Sequence, residues 1–484
     1  MSISGSMSSA LSGLTVAARS AELISSNIAN ALTEGYGRRE LQTTVRRVGA
    51  TGQGVQVVGV NREVNRALLA DRRIADAISM NTGRQADFMA RLQTAYGTPG
   101  DASSLSGRFA AFDTALIAAT AQPESSVRQN NVFDAANSLA VSFHTISDEI
   151  QTARSLADKR IATEVDQVNR ALVSIAELNR NITALASSSR DSSSLVDQRQ
   201  QLIDTVASII PLREVATENG RVTLYSTGGA VLLDGKPAKL EFSSVGLITP
   251  DMTLGSGALS GLTINGRAMN TGATGPISGG SLAAEFAIRD DLAPAAQADL
   301  DSVARDLIVR FQDPALDATL LATDAGLFTD GNTAFSALNE EGVASRIGLN
   351  AAVDPNRGGA VWRLRDGLGA TLPGPAGQAT LFVAMQSALN DPRPTASGQF
   401  AGASRGALAL SSQVTSGVTN ERLLLEAEAG FSAARATALH SLELESGVDT
   451  DRELQDLLLV EQAFAANAKV IQTADEMIQV LLGM

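Results

Sequence analysis

The sequence predicts a mainly α protein with a smaller β part: terminal coiled-coil helices, a long-helix bundle, β-hairpins, and domains that are discontinuous along the chain. Three observations carry that expectation. Apolar residues at both ends alternate at spacings of four and three, the seam of a coiled coil. No Gly or Pro interrupts the chain between Pro123 and Pro211. The hairpin turn pairs Asn219-Gly220 and Asp234-Gly235 fall within one short region.

The first element is the seam Ile3, Met7, Ala10, Leu14, Ala17, Ala21, Ile24 and Ile28. It is narrower than the stripe of a helix facing a globular core. At 1.5 Å per residue it makes a rod of about 40 Å. Gly5 and Gly13 lie inside it and each costs roughly 1 kcal/mol against Ala, so the helix needs a partner. A β-like stretch from Thr43 to Val60 follows, with Gly49, Gly52 and Gly54 as turn points. Helical patterns recur at about 63–95 and 103–121. In the long tract, Pro123 and Glu124 suit a helix first turn. Ile161, Val165, Val168, Leu172, Ile175 and Ile182 keep a heptad-like seam, with Asn179 in the remaining slot. A Ser-rich patch from Ser187 to Ser194 breaks the tract, and a second helix runs to about Ile210.

Val222, Leu224, Val231, Leu233, Leu240 and Phe242 flank the hairpin turns as strand residues, and Gly-rich sequence from Gly255 to Gly280 suits turns and short strands. Helix resumes at about 283–312 and 403–445. Between them, recurring Gly and Pro, with Pro373-Gly374-Pro375 as a firm breaker, predict irregular connection with short helices. The last element mirrors the first: Leu457, Val460, Phe464, Asn467, Ile471, Ala474, Ile478 and Leu481 form the seam, and Asn467 is its one polar member. Thr450 and Glu453 have the spacing of a capping box, after the break at Ser446-Gly447-Val448. Periodicity leaves two readings open. The terminal helices close one monomer as an antiparallel pair, or both seams are kept for other subunits.

The expected organisation is therefore a terminal coiled-coil domain from 1–40 and 450–484, and a helical bundle from 41–212, 281–330 and 401–449. A β-hairpin region occupies 213–280 and an irregular connecting region 331–400.

Composition narrows the function. A chain of 484 residues suits about three folding units. Apolar residues at 44% with 19% charged make a globular balance. A formal charge of −14 argues against nucleic acid or anionic lipid as a general partner. The N-terminus has no basic residue before Arg19 and no continuous apolar run, unlike a standard secretory signal. With no Cys, disulfides, thiolate metal sites and cysteine nucleophiles are excluded. Two His and 4% aromatics leave little for acid–base chemistry or deep aromatic pockets.

The candidate chemical motifs have plainer explanations. Gly402-Ala403-Ser404-Arg405-Gly406 matches G-x-S-x-G, but no strand precedes it and no Asp lies between Ser404 and His440. His144 and His440 sit on helical patterns without a neighbouring His or Cys, so no metal site is expected. Asp449, Asp451 and Glu453 are read as a helix start. Arg38, Arg39, Arg46 and Arg47 are a basic excess read as an exposed, salt-bridging face.

Ser25-Ser26-Asn27-Ile28-Ala29-Asn30, followed by Thr33-Glu34-Gly35-Tyr36, resembles the signature of flagellar axial proteins, the family of rod, hook and hook-associated proteins. At the other end Ser446-Gly447-Val448-Asp449, Glu461-Gln462-Ala463-Phe464 and Ala466-Asn467-Ala468-Lys469-Val470-Ile471 are similar to that family's C-terminus. Leu195-Val196-Asp197-Gln198-Arg199-Gln200-Gln201-Leu202, and Ser278-Gly279-Gly280-Ser281-Leu282 before Arg289-Asp290, resemble the hook-associated proteins of the hook–filament junction. Many members carry a sizeable outer β domain after the segment equivalent to Gly326-Leu327-Phe328, and here little room remains for one.

The resemblance implies a structural protein with no catalytic residues, metal or cofactor. It implies a homo-oligomeric ring, contact with hook protein and with a second junction protein leading to the filament, and an export chaperone on the C-terminal helix. It also implies an extracellular place in the flagellum, reached through the flagellar type III apparatus without a cleaved signal peptide. Neither nucleic acid nor membrane is an expected partner. The assembly seam is expected at Leu14, Ile24, Ile28, Leu457, Val460, Phe464, Asn467, Ile471, Ile478 and Leu481. Asn27, Asn30, Gly35 and Tyr36 are read as helix-end and turn determinants, Asn and Gly because they tolerate positive φ. The alternatives are another axial protein (hook or distal rod), a secreted cell-wall hydrolase, and a cytoplasmic coiled-coil scaffold.

Overall fold

A computed structural model describes residues 3–33, 35–48, 51–188 and 190–483. Glu34 of the T-x-G-Y motif and the turn point Gly49 lie outside the described residues. Helix α1 spans Ile3–Ala29, and a long antiparallel hairpin follows, β1 (Arg38–Val48) with β2 (Thr51–Glu63). The hairpin lies along α1, so it is part of the terminal layer. It holds there partly through Ser12, whose Oγ accepts from the Val55 N–H at 3.1 Å.

The body begins with α2 (Arg66–Tyr96) and α3 (Leu105–Ala121), capped by the side chains of Asn65 and Ser104. Helix α4 (Ser126–Ser187) runs 62 residues and is the spine of the molecule. Its N-cap is Ser125, and Pro123 and Glu124 sit in the preceding turn, outside the helix. A hydroxyl that accepts from a first-turn N–H outcompetes the proline start the sequence suggested. The Ser-rich patch ends α4 as expected, and α5 (Ser193–Ile209) doubles back on it.

Strands β3 (Leu212–Ala216), β4 (Val222–Ser226), β5 (Val231–Asp234) and β6 (Lys236–Pro237) form one antiparallel sheet. Asn219 and Gly220 at its first turn both take positive φ, 59° and 73°. Short strands β7 (Leu240–Glu241), β8 (Thr263–Ile264) and β9 (Arg267–Ala268) form a second. Both sheets pack on the second half of α4. The heptad-like seam of α4 is buried there, and Asn179 is satisfied: its Nδ2 donates to the Val222 carbonyl, and its Oδ1 accepts from Arg199 and from the Val222 N–H.

Helix α6 (Gly280–Ala287) passes through a π turn into α7 (Ala293–Phe311). Gly279 and Gly280 both take positive φ, and a Cβ on Gly279 would stand 2.9 Å from the Pro211 ring. Buried Arg289 pairs with Asp158 at 2.8 Å and tethers α7's lead-in to the spine.

The region 331–400, expected as irregular connection with short helices, carries α8 (Val343–Arg346), α9 (Arg363–Asp366) and α10 (Thr380–Asn390). It also carries β11 (Ile347–Leu349) and β12 (Arg393–Pro394), which pair with β10 (Phe328–Asp330) and β13 (Ser404–Arg405) just outside it. Val343, Ile347, Val353, Leu364, Phe382 and Leu389 are buried in the same core as the first half of α4, α3 and α7. The buried carboxyl of Asp301 accepts from the Gly342 and Ala344 N–H groups at 2.8 and 2.9 Å. Long-range pairing of this kind leaves no periodic trace in the sequence. His144, on α4, closes onto the Ile347 carbonyl at 2.6 Å. Helix α11 (Ala407–Glu445) then returns along α2, and α12 (Thr450–Leu482) runs back beside α1.

Candidate assembly surface

The seam residues of the two ends meet each other within one chain. Helices α1 and α12 are antiparallel, with Gly13 opposite Asn467 and Asn27 opposite Glu453. Ile24, Ala10, Ala17 and Ala474 are buried in the pair. Leu14, Ile28, Leu457, Val460, Asn467, Ile471 and Ile478 are half-buried, whereas Phe464 and Leu481 stay exposed. Asn467 turns its amide to its own helix, donating to the Ala463 carbonyl at 2.8 Å. A Cβ on Gly13 would lie 2.7 Å from that amide, so the glycine that weakens α1 is what lets α12 come close.

The pair leaves a second apolar face uncovered. On α12, Leu459, Val470, Met477 and Val480 keep the spacing of one helix face and are between 44% and 63% exposed. Leu11 adds an exposed side chain on α1.

The motif residues build the joint between this pair and the body. Asn27 is 1% exposed and every hydrogen-bonding site of its amide is used. Its Nδ2 donates to the Arg39 carbonyl and to Glu453 Oε2, both at 2.9 Å; its Oδ1 accepts from the Tyr36 hydroxyl at 2.9 Å and from the Arg39 N–H at 3.0 Å. Asn27 is therefore a buried helical residue, and neither it nor Asn30 takes the positive φ expected of a helix-end Asn. Asn30 instead donates to the Ser26 carbonyl. Gly35 takes positive φ, 77°, and the Tyr36 hydroxyl donates to Asn27 Oδ1 at the helix exit.

Glu453 is not a capping-box residue. Asp449 caps α12, accepting from the Asp451 and Arg452 N–H groups, which frees the Glu453 carboxylate to enter the joint. There it is 1% exposed and accepts from Asn27 and, at 2.6 Å, from Arg38 Nε. Arg38 and Arg39 correct the exposed-face expectation: their side chains are mostly buried in ion pairs. Arg46 and Arg47, further along β1, are exposed.

Asp197, in the D-Q-R run of α5, ties this joint to the body. It accepts from Arg39 and Arg62, each at 2.7 Å, and from the Gly37 N–H at 3.3 Å. Arg62 also donates to the Gly35 carbonyl. Below it Arg73 pairs with Asp204 and Glu214 and donates to Gln200, and Arg72 reaches Glu443 of α11 at 2.6 Å. Sequence reading singled out the D-Q-R run without its partners. The signal was there in Arg38, Arg39 and Arg62 beside a buried-helix acid, but no local spacing joins residues 158 positions apart.

Ser404 of the G-x-S-x-G match stands exposed on β13, within a two-residue ladder. Among the described residues no group of three or more His, Asp or Glu is placed to hold a metal ion, and no helix is long and apolar enough to cross a membrane.

Long helices, a paired-terminus layer and a helical body make up the fold in which these contacts sit. Comparison with known proteins shows what the chain is similar to. Residues 89–314 match the family model described as the flagellar hook-associated protein FlgK helical domain, and 444–484 match the flagellar basal body rod FlgEFG protein C-terminal model. Flagellar hook-associated protein 1 of Escherichia coli K12 is 25% identical over 285 residues, covering 57% of this chain and 52% of that protein. Its counterpart from Salmonella typhimurium is 26% identical over 237 residues, covering 48% and 42%. The solved structure of the flagellar hook junction protein FlgK from Burkholderia pseudomallei aligns at a TM-score of 0.45 and 19% identity, over 54% of this chain and 47% of that one. The chain is similar over these stretches to flagellar hook-associated protein 1, and spans about half the length of the curated relatives it matches.

Proposed function

We propose that this chain is a structural component of the bacterial flagellum that forms the junction between hook and filament by axial self-assembly. The observation that carries the reading is the uncovered face of α12, an apolar row left outside a terminal pair that is already closed. Burying it is worth roughly 25 cal/mol per Å², and that gain is available only when a neighbour lies alongside. The tight joint at Asn27, Glu453 and Asp197 supports the same reading, since it fixes the direction in which the pair leaves the body.

On this reading copies form a ring, hook protein lies on one side, and a second junction protein leads to the filament. An export chaperone covers the apolar face of α12 before assembly. The location is extracellular, reached by the flagellar type III route without cleavage of a signal, and the role is structural with no catalysis.

The test is the double substitution Val470→Asp with Met477→Asp, which charges the outer face and leaves the inner seam intact. The purified variant should melt within a few degrees of wild type. Cells carrying it should export the chain, lose filaments and swimming, and release filament protein into the medium. A variant that folds normally and still swims would remove the assembly role of this face.

A further inference from the structure

A second surface complements the first, and it is electrostatic. An open groove of about 1100 Å³ runs between α1 and the β1–β2 hairpin on one side and the α4–α5 turn with β3 and β4 on the other. Its lining holds eight arginines against three carboxylates, in a chain whose net charge is −14. Arg39, Arg62 and Arg73 are committed to Asp197, Asp204 and Glu214. Arg199 is buried against Asn179 and the Gly220 carbonyl. Arg19, Arg66, Arg190 and Arg221 line the rim, exposed, and make no ion pair among the described residues. Leu23, Leu41, Val60 and Val196 give the groove an apolar floor.

The complementary surface is on α11. Its first turns enter the body core through Ala407, Leu410 and Val414, but further on it packs against α2 and leaves its outer side bare. Glu421, Leu424, Glu428 and Phe431 follow one another at spacings of three and four, hence on one face. Leu424 is 67% and Phe431 74% exposed. Arg422 is answered on its own helix by Glu426, and Arg435 marks the far end of the stripe.

We propose that the arginine groove receives the Glu421–Phe431 stripe of α11 from a second copy of this chain, its carboxylates against Arg190 and Arg221 and its two large apolar side chains on the groove floor. Charge complementarity within one acidic chain selects the occupant. Groove and stripe are different surfaces, so the contact is heterologous: each copy offers one of each, and successive copies build a ring or a helix, never a closed two-fold dimer. The inference rests on the self-assembly reading above and names a contact separate from the α12 face.

The cysteine-free sequence permits a direct test in the full chain. Ser192→Cys lies in the groove and Ala427→Cys in the stripe. The double variant, assembled and mildly oxidised, should give a ladder of disulfide-linked multimers, while either single variant should give no ladder. Adding Arg190→Glu and Arg221→Glu should reduce the ladder at least tenfold, and further adding Glu421→Arg and Glu428→Arg should restore it. Multimers that form without the 192–427 cross-link overturn the groove contact and leave the self-assembly reading standing. A chain that forms no multimers by light scattering under the same conditions overturns both. A ladder indifferent to the charge reversals also overturns the proposal.

Discussion

At the scale of single residues, the molecule concentrates its constraint in side chains that satisfy several partners at once. Asn27 is the clearest. Replacing it with Leu leaves the Arg39 N–H and one Glu453 oxygen without a partner in a buried setting and the Tyr36 hydroxyl with Ser26 alone, and each orphaned group costs about 1–3 kcal/mol. The expected loss is at least 2 kcal/mol, read from urea unfolding of the terminal layer; a change below 0.5 kcal/mol would contradict the joint. Glu164 offers the opposite case. Burial pushes its carboxyl up to about 7, with Glu285 adding to the rise and Ser281, Arg84 and Arg160 opposing it. A folded value raised above the ordinary 4.5 means the folded state holds the proton more tightly, so this group's contribution is full below about 4.5 and lost as pH rises through about 7. Glu164→Gln should therefore flatten the fall in stability between pH 5 and pH 8, leaving the variant the more stable at pH 8 by on the order of 1–3 kcal/mol. Asn27 and Tyr36 were legible as a motif. The Asn27 partner Glu453, 426 residues away, was not, because a capping box explained it locally.

At the scale of elements, helices were legible wherever an apolar face repeats, and their ends less so. The seams of α1, α4 and α12 stand where periodicity put them. The start of α4 was displaced from Pro123 because capping chemistry decides helix ends, and Ser125 supplies it. Region 331–400 could be read only as irregular connection with short helices, for a different reason: its short elements are held by the Asp301 carboxyl and by a core drawn from helices far along the chain. Periodicity also cannot say which helix a seam faces. Gly13 decides it in the structure, since it admits Asn467. Gly13→Leu should then separate α1 from α12 despite a better helix propensity, lowering protection of both ends against protease while the body's melting temperature stays put. Unchanged protection would show that the close approach is dispensable.

At the scale of the whole molecule, the terminal layer and the body are two packed units joined by a few charged contacts rather than by a shared apolar core. The two large cores belong to the body and its β region, and none of their buried residues comes from α1 or α12. What crosses the boundary is polar: Asp197 accepts from Arg39, from Arg62 and from the Gly37 N–H. Partly buried ion pairs hold a direction well, and removing one partner strands the other. Asp197→Ala removes the carboxylate that answers Arg39, Arg62 and the Gly37 N–H at that boundary, leaving Arg62 only the Gly35 carbonyl. The body should keep its own unfolding transition, since its cores are untouched. The terminal layer should come loose from it, giving faster cleavage near Arg38 and Arg62 and an earlier, separate transition in urea. On the proposed axial role the consequence is mechanical: a terminal layer that no longer holds its angle to the body should assemble poorly even with both apolar faces intact. Limited proteolysis of wild type and variant, followed by the same swimming assay as for the α12 face, checks both halves. One cooperative transition with wild-type cleavage rates would mean that layer and body are bound by something other than Asp197.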